Sequence, residues 1–192
     1  ALNMDVPANS FMAGIPPDSS TALLLLTDSK YGFRGLDNSM AVSLIRSSYN
    51  PDPYPELGIH KFKLSVGISD LANNSELLKK SHDFCHPLSF VSGTVHKGEL
   101  PLTNSFISLS SNNLFVSAIK AAESSDTIII RIYETEGETK TSTIEFAKSV
   151  KSAYFVDINE KPIKSNNEIS HNGKCVTFET DSYSVCSICV EI

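Results

Sequence analysis

The sequence predicts an all-β protein with one short helix, and three observations carry that expectation. Apolar residues recur with a period of two, not 3.6, along most of the chain. The strand-like runs are short, and Gly, Asn, Asp and Ser clusters separate them at roughly the 8–12-residue spacing of a β-sandwich. Only one segment combines helical spacing with a cap and a stop.

The first strand is Thr21–Thr27, four leucines bounded by threonines, which reads as a strand buried on both faces. Tyr31–Asn38 contains two glycines and an Asp-Asn pair, residues that tolerate positive φ, so a loop is expected there. Ser39–Arg46 alternates with Met40, Val42 and Leu44 on one side, and Ile59–Ile68 alternates with Phe62, Leu64, Val66 and Ile68 on one side. The two read as an antiparallel pair, and the whole from Ala22 to Ile68 as a long Pro-rich hairpin. The helix is placed over Ser75–Cys85: Asn74 caps it, Glu76 sits in the first turn, and Pro87 blocks continuation. Leu77, Leu78, Phe84 and Cys85 share a side, which predicts packing on a sheet. Further strands are expected at Leu114–Ile119, Thr127–Glu134, Thr143–Phe146, Ala153–Ile158, Cys175–Thr180 and Val185–Ile192, with a domain boundary between residues 112 and 113.

The 192 residues, 41% apolar, suffice for a sizeable core. A net charge of −6 offers no basic stripe for a phosphate backbone, which argues against nucleic acid as a partner. The longest apolar run, Ala22–Leu26, is far short of the roughly 20 residues that span a bilayer, so no membrane partner is expected either. Ala1–Pro7 has no charged and then apolar pattern of a secretion signal. Four cysteines (Cys85, Cys175, Cys186, Cys189) are too few for a disulfide framework and favour a reducing, cytoplasmic setting.

The loop Ser47–Gly58 carries the main candidate site. Pro51, Pro53 and Pro55 stiffen it, and strand parity puts Arg46 and His60 on the core-facing side at its ends. An arginine there must be paired or look into a cleft. Two readings stand: an internal ion pair of Arg46 with Asp52 or Glu56, or a polar ligand held by Arg46, His60 and Asp52. His82, Cys85, His86 and His96 are considered as metal ligands, but a zinc site needs a closed set or three ligands with an open position, and structural roles are favoured. Cys186 and Cys189 have redox spacing but lie in a strand, where residues three apart face opposite ways, so core packing is expected. Glu134 and Glu136 form a carboxylate pair expected on a solvated face or loop.

Several stretches carry a family likeness. Ala22–Phe33, then Met40–Ser47, then Pro51-Asp52-Pro53 with Gly58–Phe62, resembles the C-terminal β half of glycoside hydrolase family 38 α-mannosidases. Val116–Glu123 and Ile130–Glu134 are similar to the family's next recurrent stretch, and Phe84–Leu88 to its short helix exit, with His86 where the family usually has Asn. The last fifty residues carry little of it. The resemblance implies the closing part of a galactose-mutarotase-like β-supersandwich over 1–112 and a small β-sandwich over 113–192. It further implies a retaining, zinc-dependent hydrolysis of α-mannosides, in which the aspartate nucleophile and zinc ligands belong to an N-terminal α/β domain. No His-x-Asp segment is present in this chain, so no cofactor of its own is expected and the isolated chain should be inactive. A retaining glycosidase needs two carboxylates about 5–5.5 Å apart, and no matched position supplies even the first. By its place in Ser43–Ser47, Arg46 matches a β-domain arginine that helps to line the mannoside cleft. The competing classes are a free-standing carbohydrate-binding β-sandwich, against which the absence of Trp counts, and a purely structural domain.

Overall fold

The computed structural model describes residues 4–47 and 50–192. The chain divides into two compact units, residues 1–91 and 92–192. The first holds β1 (Val6–Pro7), β2 (Phe11–Gly14), β3 (Ala22–Thr27), β4 (Gly32–Leu36), β5 (Ser39–Val42), β6 (Leu64–Ser69) and α1 (Asn74–Cys85). The second holds β7 (Ile107–Leu109), β8 (Leu114–Ala121), β9 (Ile128–Glu134), β10 (Lys140–Phe146), β11 (Ser152–Val156), β12 (Ile169–Asn172), β13 (Cys175–Thr180) and β14 (Val185–Glu191). The all-β class with one short helix is therefore observed, and the division falls ahead of β7, which pairs with β10 in the second unit.

In the first unit the sheets run β1-β4-β5 and β2-β3-β6. The long hairpin is wired differently from expectation. Ile59–Ile68 does not pair with Ser39–Arg46; β6 instead pairs antiparallel with β3, Leu25 opposite Val66. The glycine-bearing segment taken for a loop is β4, which pairs with β5 through a two-residue turn at Asp37 and Asn38, Asp37 at φ 51°. Its glycines serve close approach: a Cβ on Gly35 would come within 2.6 Å of the Met12 methyl carbon.

β3 presents Ala22, Leu24 and Leu26 to Leu77 of α1, with Phe11, Ala13 and Phe84 packed around them. Burying each of these leucines stabilises the fold by about 1.5–3 kcal/mol. Asn73, not Asn74, is the N-cap, its side-chain oxygen accepting the Glu76 N–H at 2.9 Å. The opposite face of this sheet is uncovered over β6. Val66 is 71% and Ile68 73% exposed, Leu64 and Leu23 are exposed beside them, and Ser65, Gly67 and Ser69 take the sheltered side. The period-two pattern of Ile59–Ile68 is thus real while its sense is reversed, and β3 is buried on one face only.

The second unit is a β-sandwich of β12-β13-β10-β7 and β11-β14-β9-β8. Ile130, Ile132 and Ile188 from one sheet meet Ile144, Phe146 and Phe178 from the other in a core with almost no exposed surface. β12 and β13 form a hairpin about Gly173, whose φ of 58° suits glycine. Cys186 packs against the inter-sheet core, whereas Cys189 packs with Ile129 and Val156 outside it.

Candidate functional site

β5 ends at Val42, so Arg46 leaves the strand before parity can turn it inward. It is exposed and lines a cleft of about 540 Å³ with Asp5, Lys30, Tyr31, Ser43 and Glu56 among its walls. The Asp5 carboxylate is engaged by Arg34, at 3.8 Å, and by the Ser43 hydroxyl. No ion pair of Arg46 with Asp52 or Glu56 occurs among the described residues. Arg46 is consequently a cation at an open rim, and the core-facing placement inferred from alternation is corrected.

The other two predicted site residues shape the loop instead of joining that cleft. His60 is half-buried, its Nε2 lying 2.8 Å from the Glu56 carbonyl oxygen. Asp52 is exposed, and its Oδ1 accepts the Tyr54 N–H at 2.8 Å, an Asx turn that fixes the loop after Pro51. The Ser47 hydroxyl donates to the Pro55 carbonyl at 3.3 Å. Ser48 and Tyr49 of this loop lie outside the described residues. The structure thus brings Arg46 and Glu56 to one cleft and leaves His60 and Asp52 as loop braces.

The histidines near the helix end do not form a metal centre. His82 and His86 stack at 4.2 Å, His86 Nδ1 lies 3.1 Å from the His82 carbonyl, and the Cys85 thiol donates to the Thr27 carbonyl at 3.5 Å. Among the described residues no three His, Cys, Asp or Glu side chains are arranged to hold an ion. The donors among the described residues therefore do not fit zinc.

Two features escaped the sequence reading. Glu134, expected on a solvated face, is 3% exposed and accepts four hydrogen bonds: Glu136 N–H at 2.8 Å, Gly137 N–H at 2.8 Å, Tyr183 N–H at 2.9 Å and Asn113 Nδ2 at 3.0 Å. Burial pushes its carboxyl pKa up, but the backbone N–H groups of Tyr183, Glu136, Gly137 and Glu138 together outweigh that and hold it below the usual range. It is a structural anion, spent on tying the 134–137 turn to Tyr183. Arg131 lies on β9 between isoleucines and faces away from the core, its Nε donating to Ser187 Oγ at 3.2 Å. An arginine interrupting an Ile-rich strand was the available signal.

Residues 113–187 match the glycosyl hydrolases family 38 C-terminal beta sandwich domain, and the observed double sheet is that architecture. Over those residues the chain is similar to the C-terminal β region of this family of α-mannosidases. It is 29% identical over 146 residues to alpha-mannosidase G of Dictyostelium discoideum, covering 72% of this chain and 13% of that protein. Against an alpha-mannosidase of Saccharomyces cerevisiae it is 26% identical over 158 residues, covering 72% of this chain and 14% of the relative. The chain thus spans a small fraction of the length of the curated relatives it matches. Among the described residues no helix is long and apolar enough to cross a membrane.

Proposed function

We propose that this chain is the non-catalytic C-terminal β portion of a retaining, zinc-dependent α-mannosidase, packed on an N-terminal catalytic domain that carries both nucleophile and zinc. The observation that carries the packing is the apolar strip of Leu23, Leu64, Val66 and Ile68 on the uncovered sheet face. Contiguous apolar surface of this kind marks an interaction site. Arg46 is proposed to line the mannoside cleft at the domain edge, with His60 and Asp52 holding its loop in shape. A guanidinium free of an ion pair among the described residues can donate to sugar hydroxyls. Four free thiols favour a reducing compartment such as the cytoplasm.

The purified chain should show no α-mannosidase turnover, and measurable turnover sinks the proposal. In the full-length enzyme, Arg46→Ala should lower kcat/KM about tenfold or more with unchanged folding. Unchanged kinetics would assign the domain a structural role only. Val66→Lys with Ile68→Lys should leave the isolated chain folded and destabilise the full-length enzyme.

A further inference from the structure

The second unit contains a cleft of about 400 Å³ beside β14, where β11 stops opposite Ser187 and leaves Val185 and Cys186 without a neighbour on that side. That volume lies within the range of about 300–1,000 Å³ typical of small-molecule sites. Arg131 and Ser187, directly paired across β9 and β14, line it. Asp157 and Asn167 come from the chain between β11 and β12, and Asp181 from the turn before β14.

The polar groups are held in place yet keep bonding capacity. Asp157 Oδ1 accepts the N–H groups of Asn159 and Lys161, both at 2.9 Å, and Asn167 Nδ2 donates to Asp181 Oδ2 at 3.2 Å. Asp157 Oδ2, Asp181 Oδ1 and the Arg131 Nη groups make no further hydrogen bond among the described residues. Nearby Glu160 is committed elsewhere, to Lys120 at 2.7 Å and the Glu123 N–H at 2.7 Å.

One cation stands against two carboxylates, so a phosphate or carboxylate ligand would meet net repulsion. A neutral polyol suits the set, because a hydroxyl both accepts from a guanidinium and donates to a carboxylate. Ile158, Ile163 and Val185 expose apolar surface at the same cleft, as the C–H side of a sugar ring requires. We infer that this cleft is a carbohydrate subsite, taking one or two neutral sugar rings with Arg131 as its central donor. It involves no catalytic domain, so its test succeeds or fails independently of the α-mannosidase reading.

The experiment is amide-resolved NMR of the ¹⁵N-labelled chain, titrated at millimolar concentration with α-mannobiose, with cellobiose and with inorganic phosphate. Shifts at Arg131, Asn167, Asp181 and Ser187 with at least one disaccharide support the site. Arg131→Gln should weaken binding about tenfold. Val185→Arg, at an exposed position, should fill the cleft and abolish binding while the spectrum stays folded. The inference is overturned if neither disaccharide shifts these amides, if phosphate binds more tightly than both, or if Val185→Arg leaves binding intact.

Discussion

Replacing Glu134 should destabilise the second unit more than any other single polar substitution in it. The carboxylate is buried and meets three backbone N–H groups and the Asn113 amide at 2.8–3.0 Å. In Glu134→Ala these donors lose their acceptor, and each buried unsatisfied group costs about 1–3 kcal/mol. Water entering the vacated space recovers part of that, so a net loss of roughly 3–5 kcal/mol is expected. Glu134→Gln is the sharper probe. It keeps shape and one acceptor, but its NH₂ must oppose donors, either Glu136 N–H and Asn113 or Gly137 and Tyr183 N–H, and about 2–4 kcal/mol should be lost. The folded carboxyl titrates below its unfolded value of about 4.3, so its stabilisation is fully present above that pH and fades as pH falls through the folded value. Urea unfolding followed by amide signals of the second unit, at pH 7 and then in steps toward pH 3, reads both effects. A Glu134→Gln protein within about 0.5 kcal/mol of wild type at pH 7, or a difference that does not shrink on acidification, refutes the reasoning.

Three further outcomes follow from the packing. Gly137→Ala should cost about 1–3 kcal/mol in chemical denaturation, because φ is +80° and the new Cβ would lie 2.7 Å from the Tyr183 ring. Leu77→Ala should cost about 2–5 kcal/mol and lower the unfolding midpoint of first-unit amides while second-unit amides keep theirs, since Leu77 is the buried side chain joining α1 to β3. Asn73→Ala should remove about 1 kcal/mol through the lost cap, which thermal unfolding of the variant tests directly.

The sandwich strands from β8 onward, β12 excepted, were legible because most are apolar runs bounded by turn residues, and local signals of that kind survive in any tertiary context. Cys175–Thr180 appears with the bounds its alternation predicts, and the helix ends before Pro87 as chain chemistry requires. β4 was hidden because Gly32 and Gly35, which usually mark loops, here make room for neighbouring side chains. Arg46 was misplaced because parity holds only while a strand continues, and β5 stops four residues earlier. Glu134 and Arg131 share a strand whose sequence does not distinguish a buried anion from a cleft-lining cation.

By itself the sequence determined the all-β class, the helix and most strands of the sandwich, since these rest on periodicity, caps and turns within a few residues of each other. Only the tertiary structure decided which strands pair, which face of Leu64–Ser69 is left bare, and which charged side chain is neutralised by backbone N–H groups. The β3–β6 pairing, as between Leu25 and Val66, and the bond from Tyr183 to Glu134 join residues more than 40 positions apart, and no local pattern encodes them.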